Sequence, residues 1–303
     1  MNAQRVIGVD LGGTKILAGV VDRGGAVERR HERPTSVASQ AELLAGLDLV
    51  VEELLDDGIA ALGFGIPSMI DQRAGRAISS VNIPLADLDF RARMAERFGL
   101  PVGIDNDGNA ACIAEWAIGA GKGMRHMVML TLGTGIGGGL ILDGRPYRGA
   151  IGAGAELGHM VIEHDGPPCQ GRCTGRGHLE TLASGHAATV AAQEEFGPAV
   201  DAHRLVRLAA EGDEKAVAIL TELGRRLGSG IGSLVNIFNP ELVVLGGGFA
   251  AAGDFLLAPA REVARREALP PGRDVPIVRA ELGTAAGLIG AALVGFEALD
   301  AAT

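Results

Sequence analysis

Two hairpins with glycine-rich tips, far apart in the chain, constrain this sequence more than any other feature. RVIGVD at 5–10 and ILAGVVD at 16–22 are rich in Val and Ile and read as strands, with LGGTK between them as the turn. MVMLTLGTGIGGGLILDG at 127–144 repeats the plan of strand, glycine turn and strand. The interval is too long for a solenoid repeat, and 303 residues suffice for two cores, so the recurrence predicts two lobes of similar design.

The segments between the hairpins alternate helix and strand. Helical periodicity over 39–57 precedes a buried strand at 60–66 that ends at Pro67, and a helix at 88–98 leads to the short strand PVGI. A further helix starts within IDNDGNAACIAEWAIG, where Cys112 reads as a small buried hydrophobe. Beyond the second hairpin come a loop rich in glycine and proline, helices to about 235, a strand at 241–248, a helix, a strand near 275–280 and an alanine-rich helix from about 284. This is an α/β chain. The boundary is expected at 108/109, with 1–108 a small N-terminal lobe completed by the C-terminal helix 289–303, and 109–288 a large lobe.

Lysine and arginine number 27 against 37 acids, a net charge of −10, so no global field draws nucleic acid or anionic lipid. Any phosphate must be held by local devices. The N-terminus turns charged and glycine-rich by residue 10, too early for a signal peptide, and no run of about 18 apolar residues predicts a membrane span. Three cysteines make no disulfide framework and point to a reducing cytoplasm.

Three glycine turns follow strands: DLGGTK at 10–15, GTGIGGG at 133–139 and LGGGF at 245–249. Glycine lets backbone amides approach a ligand closely, and such turns ring phosphates with donors. They mark Asp10, Gly12, Gly13, Thr14, Lys15, Gly133, Thr134, Gly135, Gly137, Gly138 and Gly247 as candidate nucleotide-binding residues. Two familiar signatures fail. Gly133, Gly135 and Gly138 satisfy GxGxxG, but a strand follows where a dinucleotide fold needs a helix. Gly121-Lys122 is followed by Gly123, where a P-loop needs Ser or Thr.

Asp105, Asn106 and Asp107 precede a helix, and capping its free amides explains part of the cluster. One carboxylate left over, at the positive end of a helix, is suited to act as a general base on a hydroxyl. His159, Cys169, Cys173 and His178 follow the pattern H-x9-C-x3-C-x4-H on a loop unable to form its own core. The pattern suits a closed tetrahedral zinc site; the alternative is a surface loop with incidental cysteines. Glu156 and Glu180 bracket it.

With these residues in place the chain resembles the ROK family of sugar kinases and sugar-responsive repressors, within the actin-like ATPase superfamily. The likeness runs through GVDLGGTKI, GFGIPSMID, IDNDGNAA, TLGTGIGGG, ELGH with its cysteine loop, LETLASG, NPELVVLGGG and GTAAGLIGAA. It implies a two-lobed actin-like (ribonuclease H-like) fold with ATP and a hexose in the cleft. It implies that Asp107 takes the proton from the sugar 6-hydroxyl, and that Gly65, Asn106, Asp107, Glu156, His159 and Glu180 contact the sugar. Asp10 would hold Mg²⁺ through water, with the glycine turns on the phosphates. The family's zinc is held by the His of the ExGH motif and three cysteines, commonly in CxCGxxGC; here CQGRCTGRGH places His178 where the last cysteine is expected. Ser68 stands where the family often has Gly. Zinc then supports the sugar pocket and does no chemistry itself.

The implied activity is ATP-dependent phosphorylation of a hexose, glucose first, with N-acetylmannosamine, fructose, mannose and allose as alternatives, by a homodimer. A sugar-responsive repressor is the other class, but it would carry a basic recognition helix before the first strand, and none is present here.

Overall fold

Each glycine-tipped hairpin begins a five-stranded sheet in the computed structural model, which describes residues 4–171 and 173–303. The first part of the chain runs β1 (Arg5–Leu11), β2 (Lys15–Asp22), β3 (Val27–Pro34), α1 (Gln40–Glu52), β4 (Ile59–Ile66), β5 (Met69–Asp71), β6 (Arg76–Ser79), β7 (Ala86–Leu88), α2 (Phe90–Phe98) and β8 (Val102–Asn106). Then follow α3 (Asp107–Ile118), β9 (Met127–Leu132), β10 (Ile136–Leu142), β11 (Arg145–Pro146), α4 (Leu179–Ala183), α5 (Gly185–Phe196), α6 (Ala202–Ala210) and α7 (Glu214–Phe238). The chain closes with β12 (Leu242–Gly246), α8 (Asp254–Glu267), β13 (Ile277–Arg279) and α9 (Ala286–Ala302).

The two sheets share one topology. The first has the order β3-β2-β1-β4-β8 and the second β11-β10-β9-β12-β13. In each, an antiparallel hairpin is extended by two parallel strands: β1 with β4 and β4 with β8, β9 with β12 and β12 with β13. This is the two-lobed actin-like arrangement. β5, β6 and β7 form a small antiparallel sheet of their own.

A row of glycines fixes where the closing helix lies. Gly19, Gly8, Gly63 and Gly103 are register partners across β2, β1, β4 and β8. A methyl group on Gly8, Gly63 or Gly103 would run into the carbonyl oxygens of Leu288, Ala291 and Val294, so α9 can lie on the sheet only because these side chains are missing. Gly290 of α9 lies against the backbone of Ala110 in α3 in the same way. On its other side α3 meets β10, with Gly108 on the backbone of Gly138 and Cys112 on Gly139. Helix α3 is therefore gripped between α9 and the second sheet, and its first residue is Asp107.

Three expectations are revised. Gly283–Ala302 is long and apolar enough to cross a membrane, which the sequence reading did not anticipate; more than half of it is buried, and α9 covers the first sheet. Strand β3 was unforeseen, as was the small sheet of β5 to β7. The first helix ends at Glu52 instead of 57.

Candidate functional site

The three polar residues at the start of α3 divide their work. Asp105 is fully buried and accepts hydrogen bonds from the Asn106 amide (2.8 Å), Asn109 Nδ2 (3.1 Å) and Arg148 Nε (2.6 Å). Asn106 is the cap: its Oδ1 accepts from the amides of Gly108 (2.8 Å) and Asn109 (3.4 Å), while its Nδ2 donates to the Ser68 carbonyl (3.5 Å). Asp107 is the surplus carboxylate. It is half-buried at the helix start, over Gly65, with Oδ1 2.9 Å from the Gly108 amide. Burial raises its carboxyl above the usual range, and backbone hydrogen bonds oppose the rise. Ser68, in place of the family's Gly, is accommodated: its buried hydroxyl donates to the carbonyls of Ser79 (2.9 Å) and Met69 (3.1 Å).

Asp10 ends β1 within the field of Asp107. Burial first, then the charge of Asp107, lift its carboxyl to about 7, with Lys15 opposing. It lies against Gly287 in the first turn of α9, where a side chain would collide with its carboxylate. In the following turn the Gly12 amide donates to the Lys15 carbonyl (2.9 Å) and the Thr35 hydroxyl to the Gly12 carbonyl (2.7 Å). Gly13, Thr14 and Lys15 are exposed at its tip. Lys15 is paired with Glu32 of β3 at 2.8 Å, so part of its charge is spent on that unforeseen strand.

The second turn is clamped from two directions. The carbonyls of Gly133 and Thr134 accept from the amides of Gly185 (2.9 Å) and His186 (3.0 Å) at the start of α5, and the Ile136 amide donates to Glu180 Oε2 (2.9 Å). Gly135 sits against that same carboxylate, and Gly137 against the Thr131 hydroxyl. Gly138 is placed differently from Gly135. It is buried in β10 between Leu157 and the Gly108 backbone, so packing by itself accounts for the glycine.

Gly247 has φ 85° beside the backbone of Leu132, and the next residue, Gly248, lines a cavity of about 510 Å³. Gly133, Thr134, His186, Thr189, Arg207 and Phe249 line this cavity. The last four were missed in the sequence; they come from α5, α6 and the turn after β12, and no local pattern joins them.

Glu156 lies close to Asp107, His159 and Glu180. Burial raises the Glu156 carboxyl; the His159 charge opposes, while Asp107 and Glu180 reinforce. Four carboxylates from different parts of the chain thus form a sequence of neighbours: Asp10 feels Asp107, and Glu156 feels both Asp107 and Glu180. Ala155, just before Glu156, has φ 65°, a conformation that an alanine holds only when its surroundings impose it. Two buried side-chain atoms, Ser80 Oγ and Gln170 Nε2, lack partners among the described residues, and they flank the contact of Val81 with Gly171.

The cysteine loop is braced by backbone bonds from Ile162 to Gly177 (2.9 Å), Cys169 to Gly175 (2.9 Å) and Leu179 to Met160 (2.8 Å). One ligand atom from each of His159, Cys169, Cys173 and His178 lies within 4.8 Å of the others. His159 Nδ1 is 3.2 Å from His178 Nδ1 and 3.8 Å from Cys169 Sγ, and Cys173 Sγ is 3.9 Å from His178 Nδ1. Tetrahedral zinc, with bonds of about 2.3 Å to sulfur and about 2.0 Å to nitrogen, needs such spacings. The donor set therefore fits that ion, with Nδ1 of each histidine turned inward.

A family model described as "ROK family" matches residues 6–296. The chain belongs to the ROK family. It is 34% identical to a glucokinase of Streptomyces coelicolor over 94% of this chain and 96% of that one. The solved ROK glucokinase of Streptomyces griseus, in complex with glucose and AMPPNP, superposes with a TM-score of 0.86 at 31% identity, covering 97% of this chain and 99% of that one. The ROK hexokinase of Thermus thermophilus gives a TM-score of 0.84 at 38% identity, covering 98% and 99%.

Proposed function

We propose that this protein is an ATP-dependent hexokinase that phosphorylates the 6-hydroxyl of a hexose, with glucose as the substrate. The observation that carries the reading is the setting of Asp107: the one carboxylate of its cluster engaged in neither an ion pair nor the Asn106 cap, close enough to both Asp10 and Glu156 to raise their carboxyls. The ROK kinases described above support it.

On this reading Asp107 accepts the proton of the 6-hydroxyl as that oxygen attacks the γ-phosphorus. Its raised proton affinity makes it a better acceptor than an exposed aspartate. Asn106, Glu156, His159, Glu180 and the backbone at Gly65 hold the sugar. A buried group left unpaired by the wrong epimer costs about 1–3 kcal/mol, and this sets the specificity. The amides of the two turns that are not already paired, at Gly13–Thr14 and Thr134–Gly135, receive phosphates, and the base and ribose enter the cavity lined by Gly248 and Phe249. Mg²⁺ beside Asp10 would neutralise charge on the phosphates. Zinc held by His159, Cys169, Cys173 and His178 would fix the His159 ring so that Nε2 faces the sugar.

The same reading divides the chain into lobes at 108/109, with α9 completing the first. It also places the protein in the cytoplasm, as a homodimer that light scattering would detect. A coupled assay with MgATP and a panel of glucose, mannose, fructose, allose and N-acetylmannosamine tests the activity. Glucose is expected to show the highest kcat/KM; turnover of none of the five would end the proposal.

A further inference from the structure

Arg148 was not singled out by the sequence, yet it joins the two halves of the site. It begins a loop, closed by a bond from the Gly154 amide to its own carbonyl (3.0 Å), that leads directly to Glu156. Its guanidinium donates through Nε to Asp105 (2.6 Å) and through a terminal nitrogen to Glu297 of α9 (2.8 Å). Asp105 is fully buried, and its other hydrogen bonds hold the Asn106 amide and the Asn109 side chain, which frame Asp107.

The far side of the loop is docked on the same strand end. The Gln72 amide donates to the Ile151 carbonyl (2.6 Å), and Gln72 Nε2 donates to the carbonyl of Ile104, next to Asp105 (2.5 Å). Within the loop the backbone has positive φ at Gly149 and Gly152, and again at Ala155 just beyond its closure. A loop of this shape has no reason to keep Glu156 in place unless its ends are fixed.

We propose that Arg148 is a positioning residue that, through Asp105 and its own loop, holds Asp107 and Glu156 in one frame. The inference rests on the kinase reading above and deepens it. Arg148 touches no reacting atom; it sets the distance between the base and the group that grips the sugar. A planar fork satisfying two carboxylates at once is a task that lysine performs poorly.

The test uses Arg148→Lys, Arg148→Gln and the double variant Asp105→Asn/Arg148→Gln, which leaves no buried unpaired charge. Steady-state kinetics are measured for the hexose and for MgATP, with hydrogen exchange over 105–110 and 148–157 with and without hexose. Arg148→Lys is expected to raise the hexose KM about tenfold, and Arg148→Gln to lower hexose kcat/KM about 100-fold, with the ATP KM within about twofold. Both segments should exchange faster and lose their protection by hexose. Hexose KM and kcat within about twofold of the parent in folded Arg148→Lys would overturn the proposal, as would an equal loss toward both substrates. If the double variant fails to fold, Arg148→Lys decides. If the unaltered protein phosphorylates no hexose, the kinase reading falls; unchanged exchange over 148–157 in Arg148→Lys would then overturn the frame itself.

Discussion

The carboxylate of Glu180 accepts a hydrogen bond from the backbone amide of Ile136 at 2.9 Å, tying the helix after the cysteine loop to the glycine turn of the second sheet. On the proposed reading, one side chain thus couples a sugar-side element to a phosphate-side element. Glu180→Ala leaves that amide without its partner, a loss of about 1–3 kcal/mol, and KM is expected to rise about tenfold or more for both hexose and ATP. Glu180→Gln keeps an acceptor oxygen and should restore the ATP value while the hexose value stays raised. An ATP KM unmoved in the alanine variant would separate the two halves of the site.

Asp107→Asn preserves size and removes the proton acceptor. Turnover should fall about 10²–10⁴-fold, while the hexose Kd by calorimetry stays within about threefold. Because Asn106 and Asp105 carry the capping and the ion pair, Tm should change little. Near-parental turnover would remove Asp107 from its role.

The parts of this fold legible in the sequence are those whose chemistry is local. A glycine turn between two apolar strands announces itself, and so does a cap such as Asn106. Strand β3 does not, since VERRHERP has no apolar alternation; as an edge strand it is held by pairing with β2 and by cross-links such as Lys15–Glu32 and Arg33–Glu53. Gly138 was read as a phosphate contact because glycine serves close packing and ligand approach alike, and only the position of α3 tells them apart. Asp105 and Asp107 are the same residue two positions apart; the arginine that claims Asp105 lies 43 positions away in the chain. Spacing identified the zinc candidates because four donors fall on one short loop, whereas the cavity at Phe249 draws on four distant segments.

Zinc removal tests the cysteine loop. The purified protein is expected to hold one zinc per chain by elemental analysis, and Cys173→Ser or His178→Ala to lose most of it. Chelation should lower Tm and raise the hexose KM, since the loop lacks a core of its own. Cys112→Ser supplies the contrast: its thiol is buried between α3 and β10, so stability falls and the zinc content stays. Full activity in a zinc-free protein would refute the supporting role.

Asp10 makes stability depend on pH in a definite sense. Its folded carboxyl lies near 7, above the ordinary 3.8, so the native state binds the proton more tightly than the unfolded chain. The contribution is fully present below about pH 4 and is lost as pH rises through 7. At about 1.4 kcal/mol per pH unit it reaches up to about 4 kcal/mol. In Mg²⁺-free denaturant titrations, the stability of the parent relative to Asp10→Asn should decline between pH 4 and 8. A difference that is flat over this range would contradict the buried placement of Asp10.

The glycines of the second turn should separate by function. A methyl at Gly135 meets the end of the Glu180 side chain, which can swing away, so Gly135→Ala should fold normally and act by disturbing the bond to Ile136 and the phosphate approach. A methyl at Gly138 lies 2.8 Å from the Leu157 side chain and 3.0 Å from the Met129 carbonyl, where little can move. Overpacking of this kind costs about 1–3 kcal/mol, and the displaced Leu157 adjoins Glu156. Gly138→Ala is therefore expected to lower Tm and raise the hexose KM with little change for ATP, whereas Gly135→Ala raises the ATP KM at nearly constant Tm. The reverse pattern would return Gly138 to the phosphate site.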